Sequence, residues 1–257
     1  GAVVERMSFF VNAGVRFVEE MCKMRAFVEL WEEITRDRYG VVDERQRRFR
    51  YGVQVNSLGL SETQPENNVQ RIVLELLAVT LSKDARARAI QLPAWNEALG
   101  LPRPWDQQWS LRIQQVLAYE TDLLEYDDIF TGSTVVEAEV ARMVDQARTE
   151  MAIVEDMGGA VAAVDNGYMK GQMVASHSQR RADIESGDHV IVGVNKFTTT
   201  EPNPLLADID TAIQSVAPEV EAAATASLMD WRMSRDDDAV TAALVELSRA
   251  ADGQENL

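Results

Sequence analysis

Three strand-helix units follow one another in the first half of the chain, and this alternation constrains the fold most. Strands are predicted at residues 6–14, 49–55 and 87–92, and helical apolar spacing follows each of them, at 15–38, 61–81 and 106–119. Consecutive strand-helix units require parallel strands joined by right-handed crossovers. The pattern therefore predicts an α/β fold, and both a doubly wound sheet and a β/α barrel satisfy it.

The second half of the chain has a different pattern. One short extended segment is predicted at 189–197, and helices are predicted at 135–157, 160–166, 168–186, 206–233 with a break at Pro218, and 239–251. We therefore expect two regions: strand-helix units over 1–130, and a helix-rich extension over 131–257 that packs on them. Three strands leave a parallel sheet open, and such edges need cover from other protein.

The charge balance excludes two classes of partner. The chain carries 42 acidic and 25 basic residues, for a net charge of −17. A general attraction to nucleic acid or to an anionic membrane surface is therefore not expected. The sequence also shows no apolar run of about 20 residues and no signal-peptide pattern, and its one cysteine, Cys22, lies inside a helical pattern. These features predict a cytoplasmic protein with a packed thiol and no disulfide.

Metal ligands are sparse. His177 and His189 are the only histidines, and neither lies near Cys22 in the sequence. This spacing does not fit a zinc site, which draws on clustered histidines and cysteines. The sequence predicts that the chain binds no metal by itself.

The most specific sequence motifs lie between residues 49 and 109: FRYGVQVNSLGL, QPENNVQRIVLELLAVTL and RARAIQLPAWNEALGLPRPWDQQW. They resemble the last two strand-helix units of the barrel in cobalamin-dependent acyl-CoA mutases, of the ethylmalonyl-CoA and methylmalonyl-CoA mutase group. The resemblance implies an incomplete, half TIM-type β/α barrel with a helical C-terminal extension. The three predicted strands would correspond to the sixth, seventh and eighth barrel strands, and a complementary half-barrel partner chain would supply the first five.

The same resemblance implies a set of site residues. Gln54, at the end of the second strand, matches the family's active-site glutamine, and an amide there can donate and accept hydrogen bonds at once. Glu97 matches the glutamate that contacts the ribose of the adenosyl group. Arg50 and Arg6 fall where family arginines lie near the CoA chain, although Arg50 starts its strand and so belongs to the opposite barrel end by geometry.

Loop residues after the strands complete the predicted site. Trp95 and Asn96 would form a rim beside Glu97, and Asn56 and Gln91 are further rim candidates for substrate binding.

Alternative structural explanations stay open for these site residues. Gln54 would satisfy backbone groups, and Glu97 would cap a short helix. Asn56 and Gln91 would be polar because loops after strands ordinarily are.

The family's cobalamin signature, Asp-x-His-x-x-Gly, does not occur in the chain, because neither histidine fits it. The chain alone is therefore expected to bind no cofactor, and adenosylcobalamin would come through a partner. Three hypotheses follow: a subunit of a heteromeric acyl-CoA mutase, a cobalamin-independent half-barrel catalyst such as a cyclase acting on a small molecule, or a non-catalytic stabilising partner.

Overall fold

The computed structural model describes residues 1–206 and 213–253. The chain folds into two compact units, Gly1–Ile213 and Gln214–Leu257. The first unit holds the sheet and the second holds helices. The predicted α/β class is confirmed.

The three predicted strands form one parallel sheet. They are β1 (Phe9–Ala13), β2 (Tyr51–Val55) and β3 (Ala89–Gln91), in the order β1-β2-β3. Each is shorter than predicted, and Arg6 belongs to a helix that precedes β1. Tyr51, Val53 and Val55 alternate with less buried residues along β2, so one face of the sheet is packed and the other is not.

The predicted helices of the first unit occur in the predicted order, together with two short helices that were not predicted. The helices are α1 (Ala2–Arg6), α2 (Phe17–Glu33), α3 (Glu44–Arg47), α4 (Asn68–Leu81), α5 (Pro104–Glu120), α6 (Thr134–Asp156), α7 (Ala160–Asp165) and α8 (Tyr168–Ser186). The two that were not predicted are α1 and α3. A π-helical turn, Ile34–Arg38, extends α2 to the predicted end of that helix. Short 3₁₀ turns cover Ser57–Gly59, Pro65–Asn67, Lys83–Ala85, Glu97–Leu99 and Pro204–Leu206.

The packed core lies between the sheet and helix α2, and between α2 and α6. Tyr51 and Val53 of β2 pack with Ala13 of β1 and with Met24 of α2. On its other side α2 meets α6, where Cys22 is fully buried. The predicted packed thiol is therefore confirmed, and burial raises its pKa.

The predicted extended segment at 189–197 is wrong. Only a single bridge, Val192 to Lys196, occurs in it. The Asn195 side chain folds the segment into turns, because its Oδ1 accepts the Ile191 N–H at 2.8 Å and its Nδ2 donates to the His189 carbonyl oxygen at 2.8 Å. Side-chain hydrogen bonds of this kind replace the strand ladder.

The second unit contains two helices, α9 (Pro218–Ser234) and α10 (Asp237–Asp252). Pro218 begins α9 instead of breaking a longer helix, because the first helical position does not need an N–H donor. Part of the predicted 206–233 helix, residues 207–212, lies outside the described residues. No described residue of α9 or α10 is buried.

The predicted boundary at residue 130, between the strand-helix units and the helix-rich extension, stays a prediction. The boundary between the two compact units lies elsewhere, at residue 213. Within the first unit, α6 packs on α2 through Val136, Val140 and Val144. Across the described ranges, no helix combines the length and the apolar character needed to cross a membrane.

Candidate active site

Three carboxamide side chains form a row across the open face of the sheet. Asn12 pairs in register with Gln54, and Gln54 pairs with Gln91. Because the flanking residues Val53 and Val55 are buried, Gln54 and its register partners occupy the opposite face. Asn12 and Gln91 are exposed and Gln54 is half-buried. The row gives this face several neutral donors and acceptors.

Phe10 approaches Gly52 closely on the same face, two residues before Asn12 and Gln54 along their strands. A Cβ built on Gly52 would lie 2.8 Å from Cε2 of Phe10, which is closer than a real Cβ atom approaches another side chain. The glycine therefore lets the Phe10 ring lie over β2. Phe10 is itself 63% exposed, so the ring is an apolar surface without cover.

Asn56 marks the carboxyl edge of the sheet. Its backbone N–H donates to the Ala13 carbonyl oxygen at 2.8 Å, and its Oδ1 accepts the Leu58 N–H at 3.1 Å. Cβ atoms on Gly14 and Gly59 would lie 3.7 and 3.6 Å from its Nδ2. The amide is thus held between two glycines at the end of the strands, where β/α barrels place their sites.

A cavity of about 460 Å³ joins these residues. It is lined by Phe10, Val11, Asn12, Lys23, Phe27, Gln54, Val55, Asn56 and Leu58. Lys23 was not anticipated from the sequence. Its Nζ donates to the Asn12 carbonyl oxygen at 2.9 Å, lies 3.4 Å from Asn12 Oδ1, and forms an ion pair with Glu20.

One sequence signal could have found Lys23. Glu20 and Lys23 stand three residues apart in the first turns of the helix that follows β1, and this spacing brings side chains together. Because that helix starts at the carboxyl edge of the sheet, the pair faces the candidate site.

Glu97 lies in the 3₁₀ turn Glu97–Leu99 after β3 and is half-buried. This turn packs against the turn Ser57–Gly59 after β2. The structure therefore brings Glu97 to the same edge as Asn56, as expected for a shared site.

Trp95 and Asn96 are buried under that edge instead of forming its rim. Trp95 Nε1 donates to Asp106 Oδ1 at 2.9 Å, and Asn96 Nδ2 donates to Asp106 Oδ2 at 3.0 Å. Arg103 adds its backbone N–H at 2.9 Å and its Nε at 3.0 Å to the same carboxylate. Burial opposes ionisation of Asp106, but these hydrogen bonds outweigh it and hold its pKa below the usual value. Trp95 and Asn96 thus support the Glu97 turn from beneath.

The two predicted arginines lie at the other end of the strands. The Arg50 guanidinium donates to the carbonyl oxygen of Arg45 at 2.7 Å and to that of Gln46 at 3.4 Å, which ties α3 to the start of β2. Arg6 ends α1, also before β1, and is exposed. Gln54 stands four positions after Arg50, a rise of about 13 Å along an extended strand. The structure does not bring the arginines together with Gln54.

Neither His177 nor His189 is among the residues that line the cavity at the sheet face. His177 is an exposed residue of α8, and His189 lies in the turn segment after that helix. Over the part of the chain that the structure describes, no three His, Cys, Asp or Glu side chains are placed to hold a metal ion.

Comparison with known proteins places the chain in a family. The family model described as methylmalonyl-CoA mutase matches residues 1–257. Ethylmalonyl-CoA mutase of Cereibacter sphaeroides is 62% identical over 256 residues, which cover 100% of this chain and 39% of that protein. Ethylmalonyl-CoA mutase of Methylorubrum extorquens is 60% identical, over 99% of this chain and 37% of that protein.

Methylmalonyl-CoA mutase of Escherichia coli is more distant, at 32% identity over 98% of this chain and 34% of that protein. The chain thus spans about two fifths of the length of the ethylmalonyl-CoA mutases that it matches. Its three parallel strands form part of a TIM-type barrel. The resemblance first noted between residues 49 and 109 is confirmed along the whole sequence, and the chain belongs to the methylmalonyl-CoA mutase family.

Proposed function

We propose that this chain supplies one wall of the active site of an acyl-CoA mutase, and that a complementary half-barrel supplies the other wall. The observation that carries the proposal is the row of Asn12, Gln54 and Gln91 on the uncovered face of the sheet. A polar row on the face that a barrel would enclose serves a bound molecule better than it serves packing.

The outer edge of β1 supports completion by further strands. Phe9 stacks with Phe49 at 4.8 Å between ring centroids and meets Trp31 edge-on at 4.8 Å, beside an apolar groove of about 690 Å³. Trp31 Nε1 is buried, and no acceptor for it is found among the described residues. A strand added along β1 could supply a carbonyl oxygen for this N–H and cover the groove.

The ligand that fits this face is elongated. Arg6 and Arg50 at the amino ends suit phosphate groups, whereas the amides at the carboxyl ends suit a thioester carbonyl. An acyl-CoA lying along the barrel axis would contact both, with Gln54 orienting the acyl group and Glu97 at the far rim. We propose a substrate of the ethylmalonyl-CoA or methylmalonyl-CoA type.

The cofactor would be bound largely outside these residues. Adenosylcobalamin supplies radical chemistry when it is bound, and the Asp-x-His-x-x-Gly signature that carries its cobalt ligand in this family does not occur in the sequence. In this proposal the chain's own part is to orient the thioester and to keep water from it. We place the complex in the cytoplasm, where the buried Cys22 stays reduced.

A second candidate is a cobalamin-independent half-barrel catalyst, for example a cyclase. The amide row of Asn12, Gln54 and Gln91 also supports this candidate, because neutral donors and acceptors can position a polar molecule without a cofactor. Its site would use the same amides to position a small polar molecule for intramolecular displacement.

The test is reconstitution with a complementary half-barrel, assayed on ethylmalonyl-CoA and methylmalonyl-CoA with and without adenosylcobalamin. Isomerisation that requires both halves and the cofactor is expected. Assembly without isomerisation of either thioester would overturn the mutase proposal, and turnover without cobalamin would favour the second candidate.

The isolated chain is expected to self-associate, because no described strand pairs with the outer edge of β1 and the Phe10 ring is 63% exposed. Sedimentation velocity should show dimers or larger species, and Phe10→Lys should shift them toward monomer because it places a charge on the open face.

Val135→Lys is the matched control, since Val135 is 70% exposed at the start of α6. A compact monomer of the unmodified chain would count against an open sheet that needs a second half.

A further inference from the structure

Glu75 is a buried acid that the proposed site does not use. It lies in the middle of α4, its side chain is 1% exposed, and its Oε2 has no hydrogen-bond partner among the described residues. Buried carboxyl groups are ordinarily paired, because an unpaired charge in the interior is costly. An exception of this kind calls for an explanation in terms of its neighbours.

Glu75 lies directly behind the carboxyl edge of the sheet. A Cβ on Gly59 would lie 3.8 Å from Glu75 Oε1 and 3.6 Å from Asn56 Nδ2. The carboxyl and the Asn56 amide therefore approach the turn Ser57–Gly59 together. This turn follows Gln54 by only a few residues, so a movement of the turn would also displace residues on the open face.

The charged groups that face Glu75 come from α2 and from α4 itself. Glu20 on α2 is paired with Lys23. Arg71 on α4 donates to Asn68 Oδ1 at 2.6 Å and to the Val192 carbonyl oxygen at 2.9 Å. These hydrogen bonds do not go to Glu75. Burial raises the pKa of Glu75 to about 8, with a further increase from Glu20 and an opposing effect of Arg71.

Lys23 is a second side chain through which the charge of Glu75 would affect the open face. Its ammonium bridges Glu20 and the Asn12 carbonyl oxygen, and Asn12 is the register partner of Gln54. An ionised Glu75 would put a second negative charge beside Glu20. That charge would draw Lys23 away from Asn12, since opposite charges attract strongly where water is scarce.

We propose that Glu75 is a positioning residue that must be a neutral acid: protonated, it leaves the turn Ser57–Gly59 and the Lys23–Asn12 contact in place, and its ionisation disturbs both. The effect on turnover rests on the proposed function, whereas the effect on the turn does not. In either case the carboxyl acts through Asn56 and Lys23, and not by contact with a substrate.

The first test is the pH profile of the assembled enzyme. For a group with a pKa of about 8, the neutral fraction falls about tenfold from pH 7 to pH 9, so kcat/KM should fall about tenfold. Glu75→Gln keeps the shape without the charge, and its kcat/KM should change by less than about twofold over the same range. Glu120→Gln, at an exposed site that ends α5, should keep the unmodified profile.

The second test does not need turnover. Hydrogen exchange of the amides at 56–60, corrected for intrinsic rates, should accelerate from about pH 6.5 to about pH 9 in the unmodified protein and not in Glu75→Gln. The infrared spectrum should show a carboxylic acid band that is lost over the same range, and Glu75→Asp should shift this band if Glu75→Gln does not fold.

The outcomes separate the two proposals. Absence of that band at about pH 6.5, or an identical alkaline change in Glu75→Gln, would overturn the role of Glu75. Loss of mutase activity in every variant, with the exchange result intact, would instead count against the proposed function.

Discussion

Gln54→Ala is expected to lower kcat/KM of the assembled enzyme by about 10²-fold or more, without disrupting assembly. Gln54 stands at the centre of the amide row, between Asn12 and Gln91, and its side chain leaves the face packed by Val53 and Val55 untouched. Truncation therefore removes a positioned donor and acceptor and leaves the core intact. Steady-state kinetics of the reconstituted barrel, with assembly checked by sedimentation, measure the effect.

Gln107→Ala is the matched control for this substitution, because it removes the same amide from an exposed position on α5 that does not line the cavity at the sheet face. Its turnover should match that of the unmodified enzyme. A Gln54→Ala enzyme that assembles and keeps its turnover within about twofold would remove Gln54 from the site.

Asp106→Ala is expected to cause the largest loss of stability, about 3–5 kcal/mol. Asp106 is fully buried and accepts hydrogen bonds from Trp95 Nε1, Asn96 Nδ2 and the Arg103 backbone N–H. The variant deprives these donors of their acceptor and leaves the Arg103 guanidinium without this carboxylate. The Glu97 turn rests on this network, so turnover should fall as well.

The stability change is measured as a shift of the urea unfolding transition of the assembled protein at neutral pH. Asp122→Ala, at an exposed position, should shift the transition by less than about 0.5 kcal/mol. Because the folded pKa of Asp106 is depressed, its contribution is present above the unfolded pKa of about 4 and is lost as the pH falls below it. A loss below about 1 kcal/mol for Asp106→Ala would contradict this account.

The sequence predicted the strand-helix units because apolar spacing is a local property. It did not predict that Asn12 lies beside Gln54, because register between strands depends on the turns and helices that join them. Barrel and doubly wound sheet share the same local pattern, so only the family resemblance separated them.

The predicted rim residues show a second limit of prediction from sequence, which is the effect of tertiary packing on burial. Trp95 and Asn96 follow a strand, as rim residues do, but Asp106 draws both into the interior from a helix 10 or 11 residues further on. Glu75 was not identified because an acid inside VQRIVLELLAVTL also fits an exposed helix position. Burial of one charged residue in an apolar helix is decided by tertiary packing, which periodicity does not specify.

The most direct test of the central claim is native mass spectrometry of the complex isolated through this chain from the organism that makes it. We predict a species whose mass includes a complementary half-barrel, either as a partner subunit or within a longer polypeptide, together with bound cobalamin. The same species without cobalamin would favour the cobalamin-independent catalyst. The chain alone, as a compact monomer without a second half, would contradict the account.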